Sequence, residues 1–453
     1  MEKGLISVDR WTSQSQAYFL THLHSDHTQG LSPTWAKGPL FCSRLTANLF
    51  PSKFPNFNLS LLRILDPFGA WHSLSLLSPS STLQSRITVE VMAIDAHHCP
   101  GKFALQLLGL GAVMFLFRGE FGCLLFTGDF RWETASKRAK VGRTMLLDAL
   151  KDDVVDILYL DNTYCNPSYI FPSRQAAAQQ VVDIIVSHPE HDIIIAIDTL
   201  GKEDLLLHIS RTLKIKIWVW PERLRTMHLL GFHDIFTTKT SLTRVRAVPR
   251  YSFNIETLEG LNTMRPTIGI MPSGLPWVTK SLERGDKLFG SLLTSHYNKN
   301  KWSGNSGNHN DNPNANSGSV ERFHKYIYTV PYSDHSCFSE IEDFIKLVQP
   351  TSMKGIVSSS SCYVDPLYYF GCLCGANQPV QRSLHKHKRK ERDERVPAVC
   401  LRTAFSSGGA SAESERTRER TVMVKHSGIH VSRISALRRI QRGAKIMEDD
   451  CLN

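Results

Sequence analysis

Thr21-His22-Leu23-His24-Ser25-Asp26-His27 brings three imidazoles and a carboxylate within six residues. The apolar run 17–20 precedes it, so these groups emerge from a strand end on one tight turn. A mixed nitrogen and oxygen donor set of this kind suits a borderline cation such as zinc. One turn cannot complete a two-metal site, and further donors are expected where other strands end. The stretch 86–94 sets Ile87, Val89 and Val91 at period two, a half-buried strand, and leads into His97-His98-Cys99-Pro100-Gly101. The apolar run 123–127 leads into Thr127-Gly128-Asp129, the run 157–160 into Asp161, and His335 lies five residues beyond Val330. Singly, each has a plainer reading: a His-His pair in a hydrogen-bonded loop, an Asp as a turn former or helix cap. Their recurrence at successive strand ends is what favours ligands.

Farther along, the rhythm changes. From about Asn166 the pattern predicts a helix at 173–187 with Ser173 as its cap, then strand 192–197, helix 202–213, strand 215–219 and helix 222–230. Strand–helix alternation points to a small parallel α/β domain. Residues 298–319, rich in Asn, Gly and Ser, read as a mobile surface loop. Order resumes with strand 325–330, helix 338–348 and strand 354–357, and beyond Gly371 only 437–446 suggests a short helix. The domain division expected is 1–165, an inserted domain at 166–324, a return at 325–370 and a basic tail at 371–453.

The order of the motifs resembles a known family. Asp9, HLHSDH, HHCPG and TGDFR are similar to the first four motifs of the metallo-β-lactamase fold. Leu160-Asp161-Asn-Thr163 and Val330-Pro-Tyr-Ser-Asp-His335-Ser336 resemble motifs A and B of the β-CASP nucleases, nearest to the DNA-directed, Apollo-type 5′ exonucleases. Val8-Asp9-Arg-Trp11, Gly30-Leu-Ser-x-Thr-Trp35, Asn162-Thr-x-Cys-Asn-Pro167 and Leu200-Gly-Lys-Glu203 support the likeness, which runs from about Gly4 to Cys362.

The resemblance implies an α/β fold, an αββα sandwich interrupted by a β-CASP domain. It implies a tight zinc site at His22, His24, His98 and Asp129, and a weaker one at Asp26, His27 and the bridging Asp129. His98 is preferred to His97 because the family's ligand directly precedes Cys-Pro-Gly. Asp9 would orient the ligand turn. Asp26, Asp129, Asp161 and His335 would form the catalytic set, with an activated water as nucleophile and His335 stabilising or protonating oxygens of the scissile phosphate. Ser333, Ser336 and Lys202 are candidates for holding a 5′ phosphate, each equally readable as a turn former or surface residue.

Two departures from the family stand out. RNA-cleaving members carry a histidine at motif C, whereas 354–358 here is Lys-Gly-Ile-Val-Ser. That favours DNA and implies the weaker second metal. Residues 102–111 also interpose an apolar segment between the His98 loop and the strand at 112–117. It is either a benign hairpin extension or an intrusion that shifts the strand and damages the site.

Composition sets the remaining bounds. With 453 residues and 42% hydrophobic content, two ordinary cores are within reach. The net charge of +11 is concentrated in the tail, where 17 Lys and Arg face 9 Asp and Glu from Gly371 onward, leaving only +3 for the rest. Basicity alone is therefore weak support for a nucleic-acid surface on the folded part. The ten cysteines show no framework spacing and fit reduced thiols. No signal peptide is read at the start, and the apolar stretch 103–117 falls short of the ~20 residues a membrane span needs. The cluster at 385–395, HKHKRKERDER, reads equally as a nuclear-import signal or a solubilising charge run. The reading that results is a nuclear enzyme of DNA repair or telomere-end processing, acting on DNA with a free 5′ end, with repair or telomere proteins as partners and no membrane. An RNA-processing endonuclease, a small-molecule hydrolase and a catalytically impaired repair scaffold are the alternatives.

Overall fold

The computed structural model describes residues 4–375 apart from 12–13, 67–68, 79–84, 100–110, 152, 275–320 and 358–363. The expectations for 298–319, 385–395, 437–446 and nearly all of 102–111 fall outside the described residues.

Two sheets form the sandwich that carries the donors. One has four parallel strands in the order Gly4–Val8, Ser15–Phe19, Leu40–Cys42, Leu62–Ile64. The other has six, ordered Ser352–Gly355, Ile157–Leu160, Gly122–Phe126, Val113–Gly119, Arg86–Asp95, His72–Leu77. Alternation between two cores explains why 113–117 of the strand Val113–Gly119 is wholly apolar. Val113, Phe115 and Phe117 enter the core between the sheets with Ile6, Phe19 and Val91. Met114 and Leu116 face outward into a second core, closed by Leu146 of the helix Lys137–Leu150 and Phe344 of the helix Phe338–Val348. Both faces of a central strand are buried, so no polar position is left for a period-two pattern to mark. On the other side, the helix Arg44–Lys53 covers the four-stranded sheet through Leu45, Leu49 and Phe50, completing helix, sheet, sheet, helix.

The inserted domain is a seven-stranded sheet ordered Phe236–Thr237, Ile217–Trp218, Val245–Pro249, Asp192–Ile197, Thr267–Pro272, Ile327–Val330, Glu321–His324. All its pairings are parallel except the last, at the edge. Ser173 caps the helix Arg174–Ser187 by accepting the Ala176 N–H. The apolar cluster of this domain is continuous with that over the four-stranded sheet. The strands Glu321–His324 and Ile327–Val330 close this sheet at one edge, on either side of residue 325, where the return is expected to begin. Parallel strands end at a common edge, and here Asp198, Ser273 and the Ser333–His335 turn follow three of those ends.

The two strands that flank the segment 102–111 pair with each other. Asp95 pairs with Val113 and Glu90 with Arg118 in unbroken antiparallel register.

Candidate metal centre

The turn 21–27 is fixed from several directions. Asp9, at φ 49°, accepts the Thr21 N–H at 2.9 Å and the Thr21 hydroxyl at 2.7 Å. Its Oδ2 also lies 2.7 Å from His27 Nδ1. Trp11 Nε1 donates to the His27 carbonyl at 2.8 Å, and Lys53 Nζ to that of Leu23 at 2.8 Å. Gly128, at φ 55°, brings the end of Gly122–Phe126 against this turn: a Cβ there would stand 2.8 Å from Thr21 Cγ2.

These elements bring three overlapping groups of potential donors together, each with its atoms within 4.8 Å of one another: His22, His24, His98 and Asp129; Asp26, His27 and Asp129; Asp129, Asp161 and His335. Asp129 belongs to all three. Its Oδ2 is 3.7 Å from His22 Nε2, 3.5 Å from His98 Nε2 and 3.8 Å from His335 Nε2, while Oδ1 is 3.1 Å from His27 Nε2. Asp26 is the exposed member, 3.7 Å from His27 Nε2. His97 turns away, its ring stacked over Trp132 and close to Gly142, and its carbonyl accepts from Arg174.

The outer hydrogen bonds determine which nitrogens face inward as acceptors. His24 Nε2 meets the Leu200 carbonyl at 3.0 Å and His98 Nδ1 meets that of Asp334 at 2.8 Å, so both of these nitrogens carry hydrogen. Thr21 gives its proton to Asp9 and therefore accepts from His22 Nδ1 at 3.0 Å. Neutral His22, His24 and His98 thus point lone pairs at one another, with His24 Nδ1 2.9 Å from His22 Nε2 and 3.1 Å from His98 Nε2. Such convergence is repulsive unless a cation sits among the donors. Donors on a tetrahedral zinc stand roughly 3.4 Å apart, so the spacing fits such an ion.

Electrostatics point the same way. Burial, followed by the charges of His27, His24 and His98, holds His22 well below the usual imidazole range. Burial lowers His24 too, and with His335 pushes His98 down to about 3. All three are ready as neutral donors. His27 moves the other way: burial disfavours its charge, but the Asp129 and then the Asp9 carboxylate outweigh it and raise it well above the usual value.

Asp161 and His335 face each other, Oδ2 to Nδ1 at 2.8 Å. Asp161 also accepts the Thr163 N–H at 3.0 Å, and its own N–H donates to Thr127 Oγ1 at 2.9 Å. Near motif C, the strand Ser352–Gly355 runs beside Ile157–Leu160, and the Val357 N–H donates to Asn162 at 2.9 Å.

The phosphate-binding candidates behave differently. Ser333 Oγ accepts the His335 N–H at 3.0 Å and donates to the His335 carbonyl at 2.8 Å. Ser336 Oγ accepts the Trp132 N–H at 2.9 Å and donates to the Phe130 carbonyl at 3.1 Å. Each hydroxyl has a single proton, already given to backbone, and both side chains are buried. Lys202 Nζ lies 3.1 Å from Asp198 and 3.3 Å from Asp334, which compensate its charge. These three residues thus stand in the site's wall with partners supplied by the protein itself.

Sequence reasoning missed the parts that act through backbone: the Leu200 and Asp334 carbonyls, and Arg131, which donates to the Ser333 carbonyl at 2.9 Å and pairs with Glu340 at 2.8 Å. A buried arginine in TGDFR is the one sequence signal that pointed to such a clamp.

Comparison with known proteins agrees with this geometry. Residues 232–361 match the family described as DNA repair metallo-beta-lactamase. The chain is 34% identical over 367 residues to the 5′ exonuclease Apollo of Danio rerio, covering 80% of this chain and 52% of that one. It is 34% identical over 362 residues to the same-named protein of Gallus gallus, covering 79% and 63%. To the DNA cross-link repair 1A protein of Homo sapiens it is 28% identical over 347 residues, covering 74% and 27%. The chain thus spans between about half and three fifths of the Apollo relatives' length. Through its residues 232–361 and these relatives, the chain is similar to the DNA repair metallo-β-lactamase family.

Proposed function

We propose that this protein is a zinc-dependent phosphodiesterase that removes nucleotides from the 5′ end of DNA, in interstrand crosslink repair or telomere-end processing within the nucleus. The observation that carries the reading is the sharing of Asp129 among three donor groups, one of which includes the His335–Asp161 pair. Relatives named as 5′ exonucleases give the substrate class.

His22, His24, His98 and Asp129 would hold the tighter ion, and Asp26, His27 and Asp129 a weaker one with fewer and more exposed donors. Bound there, zinc supplies a water of lowered pKa and positive charge for the phosphoryl oxygens. Asp161 fixes the ring of His335 through Nδ1, which leaves Nε2 facing Asp129 across the same space. Protonated on Nε2 as well as Nδ1, His335 can from that position donate a hydrogen bond to a phosphoryl oxygen or its Nε2 proton to the departing one. Asp9 and Thr21 hold His22 and His27 by their outer nitrogens, so the rings need no reorganisation when substrate arrives.

The test is digestion of matched DNA and RNA oligonucleotides bearing 5′ phosphate or 5′ hydroxyl, with zinc quantified in the same preparation. Progressive shortening of DNA from its 5′ end is expected. Faster cleavage of RNA, or internal cuts, would replace this reading with that of an RNA-processing endonuclease.

A further inference from the structure

We infer that Lys202 is a positioning residue for the metal centre, acting from the inserted domain through Asp334 on the ring of His98. The inference rests on the metal reading proposed above. His98 Nδ1 donates to the Asp334 carbonyl at 2.8 Å, so the direction of its inward nitrogen depends on where that peptide sits. The Asp334 carboxylate is in turn gripped by Lys202 Nζ at 3.3 Å, with Asp198 on the amine's other side at 3.1 Å. The side chains of Lys202 and Asp334 are both only 10% exposed, so water offers little substitute for either bond.

The same turn reaches a second histidine. Two residues before Lys202, the Leu200 carbonyl meets His24 Nε2 at 3.0 Å. Residues 198–203 therefore touch the outer side of His24 directly and reach His98 through Asp334. The turn's backbone is unusual in a way this task explains. Gly201 lies at φ 100° and Lys202 at φ 61°, a left-handed conformation that a lysine adopts only at a cost. From behind, Glu203 accepts the Gly201 N–H at 2.9 Å and pairs with Arg223 at 2.6 Å, while Arg223 also donates to the Gly201 carbonyl at 2.8 Å and to that of Thr199. A buried ion pair is often replaceable by apolar side chains without loss of stability. Its presence here fits a demand for geometry, because the Leu200 carbonyl must meet His24 while the Lys202 amine meets Asp334.

A simple docking bridge between domains would predict something else: losing it would loosen the domains and leave the histidine tautomers alone. The experiment uses the full chain, metal-free and then titrated with zinc against a chromophoric chelator. Imidazole nitrogen NMR of the metal-free protein reports the tautomers, with assignments from His24→Gln and His98→Gln. The parent is expected to bind zinc, with His98 in the Nδ1–H form and His24 in the Nε2–H form. Lys202→Met is expected to weaken zinc binding about 10- to 100-fold and to lose the single His98 form, with Lys202→Arg restoring most of both. Asp334→Asn, which keeps the backbone carbonyl and removes only the gripped carboxylate, should shift both readouts in the same direction and serves if Lys202→Met does not fold. Parent-like zinc affinity in both Met and Asn variants, or weakened binding with an unchanged His98 signal, would overturn the inference. A parent that binds no zinc would instead remove the metal reading on which it rests.

Discussion

The two sides of the site contribute different kinds of atom. From the sandwich come donors: the imidazoles of His22, His24, His27 and His98, and the carboxylates of Asp26 and Asp129, each at the end of a strand or on the turn that follows one. From the inserted domain and the turn leaving it come supports: the Leu200 and Asp334 carbonyls, the amine of Lys202 and the ring of His335. On the function proposed above, the first side would supply the metal's donors and the second would aim the donors and the substrate. Loss of His335 should therefore separate rate from metal content, whereas loss of a support that aims a donor, such as Lys202, should lower both.

The largest effect is expected at Asp129, where the groups meet. Asp129→Ala should reduce nuclease activity to background and lower zinc per chain, measured by turnover and metal analysis. Normal turnover in this variant would dissolve the distinction altogether. His335→Ala is the counterpart from the other side: a loss of about 10²- to 10⁴-fold in rate with zinc retained. Zinc lost along with the rate would move His335 to the donor side. Asp9→Ala should weaken zinc about 10- to 100-fold, because it frees both Thr21 and the His27 ring. Chelator competition gives that number.

Smaller effects sharpen the wall. Ser336→Ala removes a hydroxyl bonded to two backbone groups and should cost about 1–3 kcal/mol of stability by denaturant unfolding. The ratio of rates on 5′-phosphate and 5′-hydroxyl DNA should stay as in the parent. A collapse of that ratio would return Ser336 to phosphate binding. The smallest change is expected from joining Gly101 to Ala112. Since the hairpin is already in register, the melting temperature should move by less than ~4 °C, with zinc content unchanged. A large gain in either would mean the segment does harm the site.

Much of the donor side is legible in the sequence because metal chemistry restricts side-chain type, and side chains are what a sequence spells. The turn 21–27, His98, Asp129 and Asp161 all announce themselves as His or Asp after an apolar run. The supporting side works through backbone carbonyls, and Leu200 gives no sign of the bond it makes. Ser333 and Ser336 are similar in this respect: their place beside His335 is legible, but the backbone groups their hydroxyls bond to are not. The helix Lys137–Leu150 escapes sequence reading for another reason. Its buried positions include Ala139 and Gly142, too small to register as an apolar stripe. Gly142 is small because the His97 ring packs there, 3.0 Å from where a Cβ would be.

Trp11 has a consequence of its own. Its indole N–H is bonded to the carbonyl of His27, the last residue of the ligand turn, and its ring lies against Tyr18 and Trp35 in a pocket that excludes water. An indole tied to that peptide is a built-in optical probe. Rearrangement of the turn on metal loading should alter its emission directly, so loading can be followed by fluorescence, without a label and without any substrate present.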